Sequence, residues 1–82
     1  MNSKGHILII DDEKKLRSLL FRIIELEEFK VFQASTAKRG LELLELEKNI
    51  DLVITDVKLP DDNGIDLLSK INHYALKVHR LG

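Results

Sequence analysis

Three carboxylates carry the chemistry this 82-residue chain could perform. The pair Asp11 and Asp12 follows the apolar run Ile7-Leu8-Ile9-Ile10, and Asp56 follows Leu52-Val53-Ile54-Thr55. Each has a plain reading by itself. Acids are favoured near the free amides and dipole of a helix N-terminus, which would account for Asp11-Asp12. Asp56 could simply end a strand, and Asp61-Asp62 reads as a solvated loop. If the two apolar runs are neighbouring strands, however, three like charges meet at one edge and disfavour the compact state unless a cation neutralises them. A hard divalent ion answers that need. Magnesium suits a few carboxylates, retained waters and the oxygens of a phosphate, so the cluster implies a metal and an anionic substrate together. An aspartate can attack phosphorus to form an acyl phosphate while such an ion offsets the developing charge.

The elements around these acids read as alternating strands and helices. His6-Ile7-Leu8-Ile9-Ile10 is a continuous apolar, β-branched run, the pattern of a strand covered on both faces. From Glu13 the period changes, with Leu16, Leu19, Leu20, Ile23 and Ile24 on one face of an amphipathic helix. Lys30–Ala34 reads as a second strand, and Ser35-Thr36 offers hydroxyls to the amides opening a second helix whose inner face carries Ala37, Leu41 and Leu44. Asp51–Asp56 is a third strand. Leu59-Pro60-Asp61-Asp62-Asn63-Gly64 is rich in turn residues, and a third helix is expected from Gly64 or Ile65. This order implies βαβ units, a parallel sheet and right-handed crossovers, with a site outside the carboxyl ends of the strands where strand order reverses.

Composition sets limits on function. The length suits one small domain of marginal core. With 44% hydrophobic and 33% charged residues and a formal net charge of -1, there is no general electrostatic attraction to nucleic acid or anionic lipid. The chain has no cysteine, which fits the reducing cytoplasm, and its N-terminus carries no apolar stretch long enough for a secretory signal or membrane span. His6, His73 and His79 show no metal-ligand spacing and read as solvated or packed side chains.

The run Ile7–Glu13, followed by Asp56-Val57-Lys58-Leu59-Pro60-Asp61-Asp62-Asn63-Gly64, resembles the response-regulator receiver family, and within it regulators of the NtrC type. The acidic pair and the Asp-x-x-x-Pro-x-x-x-Gly segment agree in order and interval, Asp12 and Asp56 standing 44 positions apart (56 minus 12). The resemblance implies an α/β, flavodoxin-like (CheY-like) three-layer parallel sheet, here truncated after about three βα units. It covers residues 4–74 of a single partial receiver domain spanning 1–82. It also implies that Asp56 accepts phosphate, that Asp11, Asp12 and Asp56 hold Mg2+ with the backbone carbonyl of Lys58, and that Pro60 and Gly64 shape the loop. The implied role is a cytoplasmic phosphorelay module: a histidine kinase or phosphotransfer protein supplies the phosphoryl group, and an output partner regulates transcription. On this reading the chain is a magnesium-dependent phosphoacceptor, able to phosphorylate itself from a small donor, rather than a classical enzyme.

The sequence departs from the family beyond its third unit. Receivers bring a hydroxyl residue on a fourth strand and a lysine on a fifth. Ala75–Gly82 contains neither serine nor threonine and is unassigned, open between a short exposed strand and disorder. With strand order 2-1-3-4-5, truncation leaves the third strand on an open edge, where a homodimer or a separate fragment could pair. The alternative function is therefore a signalling-inactive fragment serving self-association or binding. A haloacid-dehalogenase-type phosphohydrolase is set aside, because that family expects an acid where Lys58 stands.

Overall fold

The run His6–Ile10 forms strand β1 and is buried almost throughout, with Leu8, Ile9 and Ile10 fully inaccessible. The structure, a computed structural model, describes residues 4–56, 58–59, 61–63, 69 and 77–81. After β1 come helix α1 (Lys14–Leu26), strand β2 (Lys30–Ala34), helix α2 (Ala37–Leu46), strand β3 (Leu52–Asp56), the short strands β4 (Lys58–Leu59) and β5 (Asp62–Asn63), and strand β6 (Lys77–Leu81). β1 lies between β2 and β3, parallel to both, with Ile7 opposite Val31 and Leu52, and Ile10 opposite Ala34 and Thr55.

The chain steps outward from β1 to β2 and then back across β1 to β3. Right-handed crossovers in opposite directions put α1 and α2 on opposite faces, which gives the three layers of a flavodoxin-like fold. The α2 face holds the core: Leu8, Ile10, Ala34, Ala37, Leu43, Leu44, Ile50, Val53 and Leu59 pack together, with Phe32 and Leu41 at the margin. Ile7 and Ile9, alternating with these along β1, belong to the α1 face. Ala37 and Leu44 are buried as the period of α2 requires, and Leu41 partly so. On α1 the period gives an apolar face, yet no residue of the helix is fully buried. At the opposite end of the strands, Asp51 pins β3 to β1. Its amide donates to the carbonyl of His6 at 2.8 Å, and its carboxylate accepts from the amide of His6 at 2.9 Å.

β6 corrects one expectation. The third strand does not lie on an open edge: Lys77–Leu81 pairs parallel with Leu52–Asp56, and the sheet order is β2-β1-β3-β6. Pairing of a homodimer through the β3 edge is thereby excluded, since that backbone is already engaged. The tail 75–82, left unassigned from sequence, contributes a fourth strand, because an unpaired apolar strand supplies hydrogen-bonding groups that outweigh a weak local pattern. β4 and β5 form a small antiparallel ribbon where a turn was expected. The third helix from Gly64 or Ile65, and the shaping roles of Pro60 and Gly64, lie outside the described residues. No helix among the described residues is long and apolar enough to cross a membrane.

Gly40 sets the spacing of α2 from the sheet. A Cβ there would stand 2.9 Å from Ile10 Cγ1 and closer still to Ile10 Cδ1. Because Ile10 is buried on all sides, it has no free space to yield. We expect Gly40→Val to lower stability by about 1 to 2 kcal/mol, overpacking outweighing the small gain in helix propensity. Urea denaturation followed by circular dichroism measures this, and an unchanged midpoint would contradict the close approach.

Candidate functional site

β1 and β3 end side by side, at the point where strand order reverses. With Ile10 opposite Thr55, the next residues, Asp11 and Asp56, emerge together at the carboxyl edge. Asp11 is held deeply: it is 2% exposed, and its amide donates to the carbonyl of Ala34 at 3.0 Å, continuing the β1–β2 ladder. Its carboxylate accepts from the amide of Glu13 at 2.9 Å, two residues on, which turns the chain sharply toward α1. This corrects the capping reading. The residue at the helix N-cap is Glu13, whose side chain caps nothing, and Asp11 shapes the corner before the helix. Arg17, one turn into α1, donates from Nη1 to the main-chain carbonyl of Asp11 at 2.7 Å and ties the helix to the same corner.

Asp12 is exposed and Asp56 half-buried. The buried Thr55 hydroxyl donates to the carbonyl of Asp56 at 3.0 Å and fixes the backbone at the end of β3. One oxygen from each of Asp11, Asp12 and Asp56 lies within 4.8 Å of the others. The structure therefore brings together all three acids picked out by sequence. Three carboxylates this close repel one another unless a cation is shared, and an all-oxygen donor set fits a hard divalent ion. Lys58, the remaining sequence candidate, stands two residues beyond Asp56 in β4, opposite Asn63 in the ribbon.

Asp61 was read from sequence as solvated loop, and the structure gives it a partner. Its two carboxylate oxygens accept from the amides of Ala37 at 2.8 Å and Lys38 at 2.9 Å, while Thr36 Oγ1 accepts from the amide of Arg39 at 3.1 Å. The opening amides of α2 are thus satisfied from two directions, one local and one from the segment after Asp56. Leu59 anchors that segment in the core. An aspartate acting across 24 positions has no local signature; the apolar Leu59 two residues earlier, read only as part of a turn, is the signal that could have shown the loop to be tethered.

Comparison with known proteins identifies the family of the fold. Residues 7–81 match the model of the response regulator receiver domain. The chain belongs to that family. Among curated relatives of this receiver chain, the two-component response regulator ORR3 of rice (Oryza sativa subsp. indica) is 33% identical over 70 residues, covering 85% of the chain and 53% of the relative. The transcriptional regulatory protein CpxR of Escherichia coli strain K12 is 42% identical over 65 residues, covering 79% and 27%. A response regulator receiver domain protein from Clostridium thermocellum has a similar structure, with a TM-score of 0.87, 32% identity, and coverage of 93% of this chain and 63% of that one. The receiver chain spans about half the length of the rice relative and about a quarter of CpxR.

Two expectations follow from this geometry. Relieving the repulsion with Asp12→Asn should raise the melting temperature measured in EDTA and shrink the rise that added Mg2+ produces in the wild type. Equal rises in both proteins would mean Asp12 holds no ion. Removing the cross-loop cap with Asp61→Ala should cost about 1 to 2 kcal/mol, read from denaturant midpoints. No loss would mean that water replaces the carboxylate at the α2 amides at no cost.

Proposed function

We propose that the receiver chain is the phosphate-accepting module of a two-component phosphorelay, with Asp56 as acceptor. The observation that carries this reading is the cluster of Asp11, Asp12 and Asp56 at the carboxyl edge of β1 and β3. Asp11, Asp12 and Asp56, with the backbone carbonyl of Lys58, would hold Mg2+. When bound, that ion neutralises the carboxylates and orients phosphoryl oxygens.

The remaining work belongs to the chain itself. A carboxylate oxygen of Asp56 attacks phosphorus; a P–O bond forms as the P–N bond to the donor histidine breaks, and the ring, already protonated on its other nitrogen, keeps the electron pair of the broken bond and leaves as neutral imidazole. Thr55 keeps the Asp56 backbone in place by its hydroxyl contact, and the Glu13 amide orients the Asp11 carboxylate. Little covalent machinery is needed beyond this, since phosphoryl transfer depends chiefly on positioning and charge. The partners on this reading are a histidine kinase or phosphotransfer protein upstream and a transcriptional output partner downstream. The compartment is the cytoplasm, which the absence of cysteine favours.

A second reading is favoured by β6, whose sequence Lys77-Val78-His79-Arg80-Leu81 has no hydroxyl side chain. On it the receiver fold persists as a binding or self-association module without phosphotransfer. The two separate in one experiment: intact-mass measurement of the chain after incubation with Mg2+ and acetyl phosphate, beside Asp56→Asn. We expect the wild type to gain the mass of one phosphoryl group and Asp56→Asn to gain none. A folded wild type that gains nothing would leave the second reading.

A further inference from the structure

Of the three clustered acids Asp12 is the exposed one, and among the described residues neither its main chain nor its carboxylate takes part in a hydrogen bond or an ion pair. Its direction is therefore set by the two peptide planes that meet at its Cα. Both planes are held through its neighbours. The plane after Asp12 carries the Glu13 amide, which donates to Asp11 Oδ1 at 2.9 Å. The plane before it carries the Asp11 carbonyl, which accepts from Arg17 Nη1 at 2.7 Å. Arg17 is itself fixed, because its amide donates to the carbonyl of Glu13 at 3.0 Å at the opening of α1. These contacts close a ring through Asp11, Glu13 and Arg17, with Asp12 at its outer corner.

We propose that Arg17 is a positioning residue of the carboxylate site: by holding the Asp11–Asp12 peptide it aims the Asp12 carboxylate at the place shared with Asp11 and Asp56, and so prepares the site for a divalent cation. The inference rests on the reading of these acids as a Mg2+ site. What the guanidinium touches supports it. Arginine commonly meets a carboxylate with two parallel N–H groups. Here three carboxylates gather at the same corner, yet among the described residues the half-buried Arg17 forms no ion pair and donates to a main-chain carbonyl. The acids are left open to a cation while the backbone beneath them is held. The gain is in order and not in charge, since a guanidinium beside a cation site repels the ion and by itself weakens binding. An exposed aspartate loses conformational freedom on meeting an ion, and a backbone fixed on both sides removes part of that cost beforehand. Arg17 acts through Asp12 and touches neither the ion nor the phosphoryl group.

The test is the affinity of the full chain for Mn2+, which shares the oxygen preference of Mg2+, read from the electron paramagnetic resonance of the free ion. Arg17→Met keeps an apolar stem and removes both charge and donor. It should weaken Mn2+ binding about tenfold, the low end of what the partners of metal ligands contribute. Arg17→Lys, with a donor on a stem of similar length, should recover most of that loss. In an Asp12→Ala background, Arg17→Met should bring no further weakening, because the carboxylate it positions is gone. Far-UV circular dichroism in EDTA establishes that each variant is folded; if Arg17→Met is not, the shorter, uncharged Arg17→Gln is titrated in its place. A wild type that binds Mn2+ no more tightly than Arg17→Met would overturn the inference and leave the metal site standing. Equal losses with and without Asp12 would overturn it too, assigning Arg17 to the stability of the corner alone. A folded wild type that binds no Mn2+ would overturn both this inference and the reading of the site.

Discussion

The parallel hydrogen bonding of β1 to β3 sets Ile10 beside Thr55, and that register determines where the following residues leave the sheet. Side chains alternate along a strand, so a slip of one position would send Asp56 to the opposite face from Asp11. The slip is opposed by everything buried along β1. Leu8 and Ile10 are committed to the core with α2, Ile7 and Ile9 to the other face, and Asp51 bonds both ways to His6 at the far end. The apolar core thus holds three carboxylates together against their own repulsion, a conflict typical of a functional site.

Around this register the supporting contacts divide into two groups. One group steadies the acids: the Glu13 amide on Asp11, the Arg17 guanidinium on the Asp11 carbonyl, and the Thr55 hydroxyl on the Asp56 carbonyl. The other ties the segment following Asp56 to the rest of the domain, through Leu59 in the core and Asp61 on the α2 amides. Gly40 belongs to neither group but permits both, since it lets α2 lie close against Ile10, the residue immediately before Asp11.

Sequence reading reached the acids and the first five elements because both are local signals. A continuous apolar run of five residues, a helical period and an aspartate at a strand end can be seen without knowing what lies beside them. What it missed depends on partners distant along the chain. Lys77–Leu81 alternates apolar and basic residues, which left a strand and disorder both open, and it is a strand because the edge of β3 supplies its hydrogen-bonding partner. Asp61 has the look of any acid in a turn. The period of α1 shows an apolar face but cannot show that Leu19 and Leu26 remain largely uncovered. The family was legible from two short motifs, since their spacing encodes the register of β1 and β3.

The Asp61 bridge has a further consequence for how the domain can be observed. The amides of Ala37 and Lys38 donate to a side chain of the acceptor loop rather than to their own helix. Their hydrogen exchange is therefore governed by that loop, while the rest of α2 exchanges with the stability of the helix. Two protons away from the carboxylate cluster act as a gauge of the loop, and they can be read by nuclear magnetic resonance without a probe placed among the acids themselves.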